Sequence, residues 1–182
     1  GDDFPILING CIGPCGDAYD AGRLLLPTEA EEWHRPQIEA LAAGVADLVS
    51  ALTLSHSGEA IGIARAATAQ TVPVAISFTV ETDGRLPGGE SLQAAIAAVD
   101  AAAPGVLFYG INCAHPTHFA DVLAQPWADR IGLLRANASR QSHAELDEAA
   151  ELDDGDPVGL EGAYSALAEK LPGLRIIGGC CG

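Results

Sequence analysis

Short, nearly unbroken apolar runs alternate with helix-patterned segments along the whole chain, and this order restricts the fold more than any other feature. The first run, Phe4–Gly10, ends in glycine and reads as a buried strand. After a Gly/Pro/Asp-rich loop over Cys11–Pro27, Thr28 with Glu31 three residues on has the form of a capping box, and a helix should continue to Gly44. The unit then recurs. Strands are expected at Val45–Leu52, Val72–Val80, Gly105–Ile111, Arg130–Arg135 and Leu174–Ile177. Helices are expected at Ser57–Gln70, Ser91–Ala102, Pro116–Leu123 and Leu160–Lys170. Strict β–α alternation implies parallel strands, because each return needs a crossover. Apolar residues on both faces of a strand imply that both faces are covered. An open doubly wound sheet and a β/α barrel both meet these conditions, and both gather function at the C-terminal strand ends.

Composition narrows the class. At 182 residues and 48% hydrophobic the chain can bury one core, so one domain is expected. Aromatic residues are only 5%, which suits tightly packed α/β layers. With 25 acidic against 9 basic residues the net charge is -16, and a nucleic-acid partner is excluded for want of clustered cations. No apolar run approaches the ~18 residues of a membrane span, and no secretory leader is visible, so a cytoplasmic location away from membranes is expected. The acidic residues of Glu145–Asp156 read as a solvated loop or a helix end. Five cysteines without a secretory leader point to metal or reactive thiols rather than a disulfide framework.

The polar residues worth explaining follow the strands: Asn9, Gly10 and Cys11 after the first, Ser77, Thr79, Glu81 and Asp83 after the third, Asn112, Cys113 and His115 after the fourth, Asn137 and Ser139 after the fifth. The last strand leads into Gly178, Gly179, Cys180 and Cys181. Adjacent cysteines seldom serve packing, since neighbours on an extended chain point opposite ways. The two glycines before them would permit a turn that aims both sulfurs at one point, with Cys113 as a third from a neighbouring strand end. Three thiolates leave zinc one open tetrahedral position. Buried incidental thiols, or a vicinal disulfide, are the plain alternatives. Cys11 and Cys15 lack redox spacing and read as loop residues. His115 and His118 fit either the site or a helix cap. Asn112 and Asn137 fit either substrate groups or loop backbone. Glu81 and Asp83 read first as part of a turn.

The strings Gly10–Pro14 (GCIGP), His34–Ala40 (HRPQIEA), Ala46–Leu48 (ADL), Ile76–Phe78 (ISF), Gly110–Cys113 (GINC) and Ile177–Gly182 (IGGCCG) resemble, in order, those of the homocysteine S-methyltransferase family. The resemblance implies a (β/α)8 TIM barrel of which this chain carries about six units, the third to eighth strands. Residues 1–182 would then be one homocysteine-binding-like barrel domain without its first two strands and its C-terminal helix. The absence of Met, and the end directly after Cys-Cys-Gly, lead us to expect a piece of a longer protein. The resemblance also implies Zn2+ on Cys113, Cys180 and Cys181, which are the candidate catalytic and metal residues. Candidate substrate-binding residues are Gly10, Ser77, Asn112 and Asn137. The implied reaction moves a methyl group from an onium donor (S-methylmethionine, S-adenosylmethionine or betaine type) to the thiolate of homocysteine or a related thiol, in methionine biosynthesis. The expected partners are that thiol and that donor, with a homo-oligomer expected from uncovered sheet edges. The family's usual Glu-Thr after the second strand is here Leu52-Thr53, so the anchor for a substrate ammonium differs. A non-catalytic zinc- or thiol-binding barrel and a dithiol redox protein are the rival readings.

Overall fold

The computed structural model describes residues 5–19, 22–124 and 126–180. Six strands, β1 (Asn9–Ile12), β2 (Leu48–Leu54), β3 (Val74–Phe78), β4 (Val106–Asn112), β5 (Ile131–Ala136) and β6 (Ile176–Gly179), form one sheet. Its order is β1-β2-β3-β4-β5-β6 and every pairing is parallel. A doubly wound sheet would reverse strand order at a switch point. This sheet never does, so the crossovers all wind one way and the architecture is six strands of a TIM barrel, a half-barrel with alternating helices.

The helices are α1 (Pro27–Ala43), α2 (Ser57–Ala69), α3 (Leu92–Ala102), α4 (Pro116–Phe119), α5 (His143–Asp147) and α6 (Pro157–Lys170), with two 3-10 turns before β5. The first helix begins one residue before Thr28, because Pro27 takes the first helical position, where its missing N–H costs nothing. Glu29 turns back to accept the Leu26 backbone N–H at 2.9 Å. In α3, Ser91 caps the helix by accepting the Ala94 N–H. The start of α2 is capped from elsewhere: the Glu90 carboxylate accepts both the Ser57 N–H and the Ser57 hydroxyl. Helices α1 and α2 approach so closely that a Cβ on Gly62 would lie 2.5 Å from Ala30 Cβ, and only glycine permits that spacing. The core between helices and sheet includes Ile38, Ile63, Ile76, Phe78, Ile111 and Ile131, all fully buried. Each such side chain contributes ~1.5–3 kcal/mol.

Three strands are displaced from their sequence positions, among them β2, which runs Leu48–Leu54 rather than Val45–Leu52. The first runs Asn9–Ile12 rather than Phe4–Gly10, because its register is set by β2, with Asn9 opposite Leu48. Asp47 fixes that register: its N–H donates to the Ile8 carbonyl and its carboxylate accepts the Ile8 N–H at 2.7 Å. The last strand extends through Gly178 and Gly179, which pair with Arg135 and Ala136. The two glycines thus lie in the ladder and not in a turn. Among the described residues no helix is long and apolar enough to cross a membrane.

Strands β1 and β6 are the two edges of the sheet. Ile177 of β6 is 58% exposed and Ile6, in the segment just before β1, is 86% exposed, and an open edge beside such residues is a template for pairing. The 182-residue chain on its own should therefore self-associate above micromolar concentration, measured by light scattering, and Ile177→Lys should reduce the associated fraction. A monomer with a cooperative melt would contradict this expectation.

Candidate functional site

Parallel pairing brings the C-terminal ends of all six strands to one side. Cys113 follows β4 and Cys180 follows β6, 67 residues apart in sequence, yet their Cα atoms are 5.4 Å apart and a disulfide joins them. Cys180 thus pairs with Cys113, not with its neighbour, which differs from a vicinal disulfide. Cys181 lies outside the described residues. Among the described residues no group of three or more His, Cys, Asp or Glu side chains is placed to hold a metal ion. Cys11 and Cys15 are free, one exposed and one partly so.

The carboxamide of Asn112 organises this corner. Its Oδ1 accepts the Thr53 backbone N–H at 2.9 Å and the Ser77 hydroxyl at 2.6 Å. Its Nδ2 donates to Thr53 Oγ1 at 2.7 Å and to Cys113 Sγ at 3.2 Å. An amide side chain has two acceptor and two donor positions, so Asn112 is fully engaged inside the protein. The residues on either side of it are strained. Thr53 has φ 62 and Cys113 φ 54, and a β-branched residue in the left-handed region is a genuine outlier. The carbonyl of Cys113, turned by that φ, accepts from His143 Nε2 at 2.6 Å and from the Thr79 hydroxyl. Next door, the half-buried Tyr164 hydroxyl accepts the Ala136 N–H and donates to the Gly178 carbonyl, which locks β5 to β6 just before Cys180. Burial raises the pKa of that phenol, so it remains a donor.

The other predicted residues fall into two groups. Gly10 is set by packing, since a Cβ there would lie 2.8 Å from Leu41 Cδ1 of α1. Ser77 is bound to Asn112. Asn137 differs: its backbone N–H is used by the Ala114 carbonyl, but its side chain, only 5% exposed, has no hydrogen-bond partner among the described residues and lines a cavity of about 860 Å³. His115 caps the short helix α4 through Thr117, and His118 Nε2 meets the Arg140 carbonyl.

Three features were not anticipated. His143 joins three loops: it bonds Cys113, pairs with Glu81 at 3.2 Å, and stacks on Tyr19 with ring centroids 3.9 Å apart. Neither His143 nor Tyr19 carries any local pattern to mark it. The acidic segment, expected as a solvated loop or a helix end, begins at the end of helix α5, which carries a Ser142–Glu145 capping box, and is tethered by Ser139 Oγ donating to Asp153 at 2.6 Å. It forms one wall of the cavity. A third is the buried pair His34–Glu59, 2.8 Å apart. Glu59 also accepts the Cys15 N–H, which anchors the loop after β1 to α2.

The family described as homocysteine S-methyltransferase matches residues 1–182. A homocysteine S-methyltransferase of Escherichia coli (strain K12) is 30% identical over 189 residues, covering 97% of this chain and 58% of that protein. The crystal structure of the homocysteine methyltransferase MmuM from Escherichia coli in its metallated form superposes with TM-score 0.72 at 24% identity, over 97% of this chain and 57% of that one. Its oxidised form gives TM-score 0.71 at the same identity and coverage. These structural likenesses carry the fold. The chain spans about 58% of the length of the curated relative.

Asn112→Ala would leave the Thr53 N–H and the Ser77 hydroxyl without their acceptor, at about 1–3 kcal/mol for each buried group. The denaturation midpoint should fall accordingly, and Asn112→Asp should lose less. Burial, then the charge of Arg140 and of His118, lowers the pKa of His115 below its ordinary 6.5. The unfolded chain therefore binds this proton more tightly, and its contribution to stability is lost as pH falls below about 6.5. Thermal melts between pH 7 and pH 5 should show that slope, and His115→Asn, which keeps a capping acceptor, should flatten it.

Proposed function

The chain belongs to the homocysteine S-methyltransferase family, and on that premise we propose a zinc-dependent S-methyltransferase that moves a methyl group from an onium donor to the thiolate of homocysteine or a related thiol. One observation carries the reading. Two cysteine sulfurs from separate strand ends are brought together at the mouth of a half-barrel, beside a cavity large enough for small molecules. The donor set suits zinc: reducing the Cys113–Cys180 bond yields two thiolates at one point, and Cys181 follows directly in sequence. Cys113, Cys180 and Cys181 would hold the metal. When bound, zinc supplies the charge that keeps an acceptor thiol deprotonated and fixes its direction.

The protein's own residues supply position. Asn112 holds the Cys113 sulfur through Nδ2–H, and Ser77 and Thr53 hold Asn112. Gly10 lets α1 close behind the strand ends, and Asn137 offers the cavity a free carboxamide. No side-chain base is required, because a bound metal would favour the thiolate and its proton would be released to solvent. Leu52 is apolar where a carboxylate would hold an ammonium, which is why the acceptor is given as homocysteine or a related thiol.

The Cys113–Cys180 disulfide favours one second reading, a dithiol redox protein. The two separate cleanly in a reduced preparation, with thiols crossed against sulfonium and betaine-type donors and metal content measured in parallel. We expect about one zinc per chain and methyl transfer. In Cys113→Ala, zinc should be lost and activity should drop by more than the roughly 10–100-fold typical of an outer-shell partner. Full zinc and activity in that variant would sink the proposal, and a zinc-free protein that reversibly re-forms its disulfide would support the redox reading.

A further inference from the structure

His143 bears on the cysteine site without touching a sulfur. It opens α5 after β5, and its side chain is 10% exposed. Its Nε2 lies 2.6 Å from the Cys113 carbonyl oxygen. A carbonyl can only accept, so Nε2 carries the hydrogen and donates it. On the other side of the ring, Nδ1 meets the Glu81 carboxylate of the loop after β3 at 3.2 Å. Tyr19, from the loop after β1, stacks on the ring with centroids 3.9 Å apart. A ring held at both nitrogens and on one face keeps one orientation, and that orientation is aimed at Cys113.

The carbonyl it holds belongs to a residue in an unfavourable conformation. Cys113 has φ 54, and a left-handed residue other than glycine persists only where its surroundings over-determine it. The Cys113 N–H donates to the Arg135 carbonyl at 3.0 Å. Its own carbonyl has two donors, His143 at 2.6 Å and the Thr79 hydroxyl at 3.5 Å. The His143 bond is the shorter, so it is the main restraint on that peptide. The same backbone decides where the Cys113 sulfur points, which is at Cys180, whose Cα is 5.4 Å from its own.

We propose that His143 is a positioning residue: clasped by Glu81 and Tyr19, it holds the Cys113 peptide so that the sulfur faces Cys180, and it ties the order of the loop after β1 to the linkage of the two sulfurs. Any group that joins the sulfurs fixes Cys113 and so favours the closed clasp. A metal ion does this under the zinc reading above, on which that half of the inference rests, and the disulfide does it without metal. Linkage is reciprocal, so a closed clasp strengthens the junction by the same factor. Tyr19 therefore acts on the sulfurs through His143, with no contact of its own required.

The test follows tryptic cleavage after Arg23, an exposed residue in the loop that carries Tyr19. Cleavage of a folded protein tracks the open population when opening is fast. The full protein is compared in three forms: metal-free and reduced by a phosphine, reduced with zinc, and oxidised by glutathione disulfide with the Cys113–Cys180 bond confirmed by peptide mass. We expect cleavage at Arg23 to be at least about fivefold slower in the two linked forms. In His143→Leu this protection should vanish, and chelator competition should show zinc held about 10–100-fold more weakly. His143→Gln, whose amide N–H replaces the Nε2 donor, should recover part of both effects. Tyr19→Ala, a change in a loop residue outside the core, should also reduce the zinc affinity. Ile63→Val, a core change away from the loops, should lower the melting temperature and leave both readouts unchanged. Equal cleavage in all three forms, wild-type protection in His143→Leu, or an equal loss in Ile63→Val would overturn the inference. Protection by the disulfide in a protein that binds no zinc would keep the clasp and overturn the zinc reading instead.

Discussion

A parallel ladder can grow only through crossover connections, and everything functional in this protein follows from that constraint. Each strand enters the sheet from the same end, so each leaves it at the same end. Cys113 and Cys180 need no sequence proximity to meet, because β4, β5 and β6 are neighbours in the sheet. The same geometry delivers Thr53, Ser77 and Asn137 to one face. The helices behind the sheet pay for this arrangement by burying its outer surface, down to the close approach of α1 and α2 at Gly62.

Within that frame the site is held by hydrogen bonds more than by packing. Asn112 spends all four of its positions on Thr53, Ser77 and Cys113. The left-handed backbone at Thr53 and Cys113 persists because these bonds over-determine it. Strain concentrated beside the Cys113 sulfur has a plain structural result: it turns the Cys113 carbonyl toward His143 and Thr79, while the amide N–H of Asn112 holds the sulfur. His143 then joins this arrangement to Glu81 and Tyr19. The loops after β1, β3 and β5 are therefore coupled to the cysteine itself.

Much of this was legible in the residues. Apolar runs of strand length separated by helical patterns gave the parallel order, and polar residues after each run marked the mouth. Strand ends were less legible. The β1 register depends on Asp47 bonding Ile8 across 39 residues, and the β6 register on pairing with β5. Neither leaves a local trace, so both strands lie further along the chain than their apolar runs suggest. The segment Glu145–Asp156, read as a solvated loop or a helix end, is solvent-exposed and begins at the end of α5, but its place beside a cavity was not legible for a related reason. Its charge is real, but Ser139 and the capping box at Ser142 fold it over a cavity.

The sequence by itself determined the alternation of parallel strands and helices and the residue types at the mouth, because periodicity and turn chemistry are local properties of the chain, while the sequential strand order was settled by the sheet itself. The GINC and GGCCG strings also carried the family resemblance. Only the tertiary structure decided that Asn112 is consumed within the protein while Asn137 lines a cavity, two asparagines that look alike in the sequence. Only it decided that five carboxylates share one cavity with no lysine or arginine. Those outcomes depend on which strand ends and loops lie side by side, a matter of distances between residues far apart in the chain, as Asp17 and Asp153 are, which no local pattern encodes.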